Sequence, residues 1–377
     1  MKIIALMNSF WVGEGGGMSG GDRRFLEVAK WWKQREVDFE IFASATGVGV
    51  CRNEGLGGFC KTTTPRWTDR LGVVPSYLLR TAVGCWQVPK LGSNLTVYSS
   101  SDFLPDVLPA LAVKFLNRNS RWVALIHHVI RGRRLPSVAQ RLSFFLIKNF
   151  SDSIIVPSNS TQKDLLSFGF SEEKITVVPN GLDTKLIAGI SGSEEQASEA
   201  CFLARLKPSK GIYDLPEIWQ EVTEQVGDAR LAVMGGGSPG EVEKFKNALW
   251  EAGVWKNVKI LGFVSEEEKY TVLKSSKIFI SPSREEGFGI SVLEAMACGL
   301  PVVAWDLPVY REIFKKGMVR ISLGDHQAFA ATIVELLGDE EKRAKMGQEA
   351  KSLAQKYDWE KVAEKEWALL DKQTNFC

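Results

Sequence analysis

The sequence of 377 residues has six cysteines but no C-x-x-C pair, so neither a zinc ribbon nor a redox dithiol is supported. No apolar run approaches the roughly 18 residues needed to span a membrane. The N-terminal apolar stretch Ile3–Met7 is too short for a signal-peptide core and reads as a first strand. Histidine is scarce, with three in the chain. Charge of one sign is lacking overall, since the formal net charge is +2. These absences make a cytoplasmic, reduced globular protein the expectation.

What is present points further. A chain of 377 residues exceeds one ordinary core, so two domains are expected. The near-neutral total hides an asymmetry. Residues 1–180 carry 22 Lys and Arg against 14 Asp and Glu, about +8, and the remainder carries 25 against 31, about −6. A basic first half suits an anionic partner held mainly there.

The chemistry concentrates in Ser281–Val303, SPSREEGFGISVLEAMACGLPVV. An apolar strand end (Ile278–Ile280) crosses a polar turn into a helix expected over Ile290–Cys298. Glu286 and Glu294 bracket a Gly287-Phe288-Gly289 turn. Backbone without Cβ atoms lets a ligand approach closely, and a helix start offers free N–H groups to an anion. A carboxylate before such a cradle and another two turns on suit a sugar nucleotide, hydroxyls pairing with acids and phosphate with amides. An ordinary strand-turn-helix unit with two solvated glutamates is the plain alternative.

The N-terminal half reads as a doubly wound opening: strand Lys2–Asn8, a glycine-rich loop Gly13–Gly21, helix Asp22–Arg35, strand Val37–Ala43. Ligands are expected at that loop. It is not a P-loop, because no G-K-[ST] closes it. Further strands are expected at Leu95–Ser99, Arg121–Ile126, Asp152–Pro157 and Lys174–Val178. The strand from Arg121 ends at His127-His128, where a parallel strand's carboxyl end faces the ligand crevice. Residues 45–89 show no firm periodicity and read as helices and loops on the rim of the first domain. In the second half, strand Ala200–Ala204 runs into Arg205-Leu206-Lys207-Pro208-Ser209-Lys210-Gly211. Arg205 and Lys210, five apart across a proline turn, can grip a diphosphate as a planar fork and a point charge. Gly235–Gly240 satisfies G-x-G-x-x-G, yet it sits mid-chain and no acid ends the next strand, so a dinucleotide site is weakly supported.

Taken together, E-G-F-G-x-x-x-x-E followed by A-M-A-C-G-L-P-V-V, R-L-x-x-x-K-G and the N-terminal Gly-Gly loop resemble the retaining family-4 glycosyltransferases of GT-B fold. The resemblance covers most of the chain and is weakest over residues 45–89. It implies an α/β protein with two doubly wound, Rossmann-like domains facing across a cleft. Residues 1–184 would form the acceptor domain and 185–360 the nucleotide-sugar domain, with helix 361–377 returning to the first and Ala188–Ala197 as hinge linker. It further implies that Arg205 and Lys210 neutralise the leaving diphosphate, Glu286 holds the sugar and Glu294 the ribose. The Gly287-Phe288-Gly289-Ile290-Ser291 backbone would hold sugar and phosphate. Gly20 and Gly21 would approach the donor phosphate or the acceptor, and His127, with His128 in reserve, would touch the transferred sugar.

No D-x-D is present, so the cations would replace a metal; no metal and no cofactor is expected beyond the nucleotide-diphosphate sugar itself. The implied reaction is retaining transfer to a glycan or lipid-linked acceptor in envelope polysaccharide or glycolipid synthesis, with no nucleic-acid partner. A sugar-nucleotide epimerase, a nicotinamide dehydrogenase and a non-catalytic partner subunit are the alternatives. Residues 131–150 pair Arg131, Arg133 and Arg134 with an apolar helix presenting Phe144, Phe145 and Leu146. That arrangement suits docking on the anionic inner face of a membrane, or packing inside the domain.

Overall fold

The computed structural model describes residues 2–11, 18–91, 94–117, 119–130 and 135–372, and they form two compact units. The described residues up to Asn180, with those from Trp359 onward, make the first, and Gly181–Asp358 makes the second.

The first unit carries seven strands: β1 Lys2–Met7, β2 Phe39–Ala43, β3 Cys60–Thr62, β4 Leu95–Ser99, β5 Arg121–Leu125, β6 Ser153–Val156 and β7 Ile175–Val177. They pair in parallel in the order β3-β2-β1-β4-β5-β6-β7. All five residues of β4 are buried, as a parallel strand covered on both faces requires. The order reverses at β1, which lies between β2 and β4, so the crevice beyond β1 and β4 is the expected ligand position. The second unit repeats the plan with β8 Ser198–Leu203, β9 Leu231–Met234, β10 Val258–Gly262, β11 Ser276–Ser281, β12 Val302–Trp305 and β13 Met318–Ile321. Their order is β10-β9-β8-β11-β12-β13, again parallel, and the switch falls between β8 and β11. The loops after those two strands are the ones carrying Arg205–Lys210 and Arg284–Glu286.

Several expectations are corrected. The units part at Asn180–Gly181 and Asp358–Trp359, not after 184 and 360. Ala188–Ala197 is not a free linker. Lys274 Nζ donates to the carbonyls of Ile187 and Ile190, and the Ser193 amide donates to Ser275 Oγ at 2.8 Å, so the segment is stitched onto the second unit. Residues 45–89 hold regular structure: helix Ala45–Asn53, edge strand β3 and helix Val73–Gln87. Phe144 is buried, edge-on to Phe168 and Phe170 at 5.5 Å, and Leu146 is half-buried; Phe145 alone of the three is exposed. Arg131, Arg133 and Arg134 lie outside the described residues, as does the loop 13–17.

Helix Trp359–Lys372 belongs to the first unit. Its Trp359, Val362, Ala363 and Leu370 enter the core beside Trp31 and Trp32. Arg24 of helix Gly20–Gln34 donates to Glu366 Oε2 at 2.6 Å, and Tyr98 OH donates to Glu366 Oε1 at 2.6 Å. Arg24 also donates to the carbonyls of Val178 and Pro179 and to Asn180 Oδ1. Both terminal nitrogens of the guanidinium are thus used while Nε, also buried, has no partner, and the bonds offset much of the desolvation of two charges.

Candidate functional site

In the second unit the loop after β8 is fixed by close backbone packing. Gly211 has φ +73°, and a Cβ there would stand 1.9 Å from the Pro282 carbonyl. The Arg284 amide donates to Ser209 O at 2.9 Å. The loops after β8 and β11 are thus pressed together, which fixes what their side chains meet. Lys210 Nζ lies 2.5 Å from Glu286 Oε1, with both side chains mostly covered. Arg205 is exposed, and Lys207 sits close enough to Arg205 and Lys210 that, after burial, their charges lower its pKa. Three cations therefore crowd one strand end, with Glu286 as the carboxylate among them. Burial, and next the Glu286 charge, raise the Tyr310 hydroxyl well above its ordinary value, while its OH meets Ser281 Oγ at 3.1 Å. Tyr310 stays a neutral phenol beside Glu286.

After Glu286 the chain turns through Gly287 and buries Phe288 between Phe314 and Tyr357 at 6.4 and 5.9 Å. Gly289, at φ +98°, is the N-cap of helix Ile290–Ala297 and has no side chain to cap it. The first-turn amides, those of Ile290 and Ser291 among them, have no intrahelical acceptor. Glu294, on the second turn, receives Lys269 Nζ at 2.7 Å and Tyr270 OH at 3.2 Å on the same Oε1. Lys269 is buried; burial alone would lower its pKa, yet Glu294 and Glu266 outweigh it and raise the ammonium pKa. Two donors on one oxygen thereby fix the Glu294 side chain in one orientation.

Gly235–Gly240 turns out to be a packing device. A Cβ on Gly235 would stand 1.8 Å from Ala204 O, and one on Gly237 would stand 2.9 Å from the Leu206 carbonyl. These glycines let the loop after β9 lie against the loop carrying Arg205. The dinucleotide reading gains no acid from β10, which ends at Gly262.

In the first unit, Ser19 caps helix Gly20–Gln34 by accepting from the Asp22 amide at 3.1 Å. Gly20 and Gly21 open this helix, and the His127 ring lies flat against Gly21: a Cβ there would stand 2.5 Å from Nε2. His127 Nε2 donates at 2.9 Å to Ser100 O, beyond β4. Burial, against the opposing carbonyl bond, lowers its pKa to about 3, so the ring is neutral. His128 is exposed, and its carbonyl accepts from Gln140 Nε2 at 2.8 Å. Gly20, Gly21 and His127 therefore share the switch-point end of this sheet, as Arg205, Lys210, Glu286 and Glu294 share that of the other.

Sequence reasoning missed Lys207, Lys269, Tyr270 and Tyr310. It also missed a group gathered from the segments after β8, β11 and β13 and the end of β12, where Asp214 accepts from Arg284 Nη2 at 2.5 Å and Trp305 Nε1 at 3.3 Å and meets His326 Nε2 at 3.2 Å. Lys207 lay inside the quoted motif and was legible; Lys269, Tyr270 and Tyr310 meet the site from helices whose packing no motif announces. Among the described residues no cluster of three or more His, Cys, Asp or Glu could hold a metal ion.

Two doubly wound parallel units, each with its charged or glycine-lined loops at the strand-order switch, define a two-domain α/β protein of the GT-B type. The model for glycosyl transferases group 1 matches residues 183–353, and that for glycosyltransferase family 4 matches 18–186. The chain belongs to the family-4 glycosyltransferases. It is 29% identical over 193 residues to the phosphatidyl-myo-inositol mannosyltransferase of Mycobacterium leprae, covering 49% of this chain and 50% of that one. It is 29% identical over 257 residues to the D-inositol 3-phosphate glycosyltransferase of Corynebacterium efficiens, covering 63% and 60%. The chain thus spans half to three-fifths of these relatives. Among solved structures, Anabaena HepE in complex with UDP and glucose aligns with TM-score 0.78 at 19% identity, over 99% of this chain and 100% of that one. Sucrose-phosphate synthase from Thermosynechococcus elongatus aligns with TM-score 0.78 at 16% identity, over 99% of each. These two likenesses show the fold.

Proposed function

We propose that the protein transfers a sugar, with retention at the anomeric carbon, from a nucleoside-diphosphate sugar to a glycan or lipid-linked acceptor. The observation that carries this is the Lys210–Glu286 pair at 2.5 Å, with Arg205 and Lys207 beside it at the switch-point end of the second sheet. Breaking the bond between the anomeric carbon and the diphosphate leaves an electron pair on the phosphate oxygen. Preoriented cations stabilise that charge without reorganising. In this reading Glu286 contacts the sugar and is held in place by Lys210. Glu294, oriented by Lys269 and Tyr270, takes the ribose hydroxyls, and the Phe288–Ser291 amides hold sugar and phosphate. Neutral His127, set against Gly21, hydrogen-bonds the transferred sugar without placing a second positive charge near the anomeric centre. The cations take the place of a metal. The named relatives act on inositol lipids or inositol phosphate, which supports a lipid-linked or polyol acceptor made at the inner face of a membrane, and peripheral attachment there.

The test incubates the full chain with radiolabelled UDP-, GDP- and ADP-sugars, with and without total lipid extract. Label moving into lipid or glycan only when acceptor is present is expected. Conversion of the donor to another sugar nucleotide with no acceptor would move the assignment to an epimerase, and reduction of added nicotinamide would move it to a dehydrogenase.

A further inference from the structure

Helix Val73–Gln87 of the first unit is turned inside out. Its buried residues are Ser76, Arg80 and Gly84. Its apolar side chains Val74 and Leu78, four apart, and Trp86, eight further on, are 52%, 67% and 65% exposed. The inward polar stripe is bonded into the domain at every side chain that carries a polar group, with Arg80 Nε the one buried nitrogen left over. Arg80 donates to the carbonyls of Asn8 and Phe10 and to Asp69 Oδ1, and Ser76 Oγ donates to the carbonyls of Thr68 and Gly72. Gly84 lets the helix close on Pro109, since a Cβ would stand 2.7 Å from Pro109 Cγ. The outward stripe is extended by Trp67 and Leu71, both exposed, in the preceding turn. An amphipathic helix normally faces the other way.

We propose that the surface from Arg66 to Trp86 docks on an anionic lipid bilayer. Charge decides between lipid and a second copy of the chain. Between Glu54 and Asp102 the only acid is Asp69, and Arg80 takes it at 2.7 Å. Among the described side chains of this stretch the exposed charges are Lys61, Arg66 and Arg70, all positive. Two copies face to face would oppose like charges, whereas anionic headgroups neutralise them while the stripe enters the acyl boundary. Tryptophans at either end, Trp67 and Trp86, suit the headgroup level. The helix lies on the bilayer; among the described residues no helix is long and apolar enough to cross one. This deepens the reading of peripheral attachment and rests on residues other than 131–150.

The experiment is sedimentation of the full chain with vesicles of phosphatidylglycerol and phosphatidylcholine, and with phosphatidylcholine alone, followed by the variants Val74→Glu and Leu78→Glu. Wild type should co-sediment with the anionic vesicles and not the neutral ones. Each variant should lower the bound fraction at least fivefold at an unchanged unfolding temperature. Phe263→Glu, an exposed apolar site on the second unit, should bind as wild type. Equal binding to neutral vesicles, undiminished binding by Leu78→Glu, or a wild-type dimer that Leu78→Glu converts to monomer would each overturn the proposal. The readout needs no donor, so loss of transfer with binding retained would count against the enzymatic reading and not against this surface.

Discussion

In the proposed reaction, two contacts between single residues bear the most weight. Lys210 and Glu286 meet at 2.5 Å while mostly shielded from solvent. Lys210→Ala should lower turnover about 10²–10³-fold, the usual cost of losing one preorganised donor to developing charge. An unchanged unfolding midpoint measured beside it separates chemistry from folding, and wild-type turnover would remove Lys210 from the mechanism. The second contact is His127 over Gly21. Gly21→Ala should displace the ring and cut turnover tenfold or more, yet add little once His127 is already alanine. A double-mutant cycle reads that coupling directly. The ring also sets a pH signature. Its folded pKa of about 3 lies below the ordinary 6.5, so its contribution to stability is complete above about pH 6.5 and falls away as pH drops toward 3. Histidine NMR should show one imidazole that does not titrate between pH 5 and 8; a midpoint near 6.5 for His127 would contradict its burial. Arg205, Lys210, Glu286 and His127 were legible because their spacing around strand ends is short-range. Lys269 and Tyr270 were not, because they reach Glu294 from a different helix, and only packing makes them neighbours.

At the level of elements, the strands were the most readable feature, since a parallel strand covered on both faces is a continuous apolar run such as Leu231–Met234. Helix Val73–Gln87 escaped for the opposite reason: its buried face is polar, so periodicity points the wrong way. The short edge strand β3 pairs on one side only, with β2, and three residues are too few to show alternation. G-x-G-x-x-G was rightly given little weight, because a loop needing close backbone approach and a loop cradling pyrophosphate ask for the same residue. The loop–loop contact at Gly211 gives the prediction that belongs to this scale. Gly211→Ala combines a positive φ with a Cβ 1.9 Å from Pro282 O, so it should cost roughly 1–3 kcal/mol in denaturant unfolding and pull Lys210 from Glu286. An unaltered midpoint together with full activity would show that the two loops are not fixed by this packing.

For the whole molecule, the C-terminal helix Trp359–Lys372 is part of the first unit's core although it is last in sequence. Glu366 and Arg24 are both fully buried, and removing one partner strands the other. Glu366→Ala should therefore destabilise the protein by about 3–5 kcal/mol in urea, far more than any surface ion pair would. The charge division between the halves, legible by counting, fits this organisation: a basic first half bearing the outward-facing apolar helix, and a second half in which three cations are gathered at one strand end against a negative background. The claim on which the functional account stands is that those cations bind the diphosphate of the donor. Isothermal titration of UDP, GDP and ADP, and of the corresponding nucleosides, into wild type and into Arg205→Ala/Lys210→Ala tests it. The account predicts one nucleoside diphosphate bound by wild type, at least tenfold weaker in the double variant, with nucleoside affinity unchanged; equal diphosphate affinity in both proteins would contradict it.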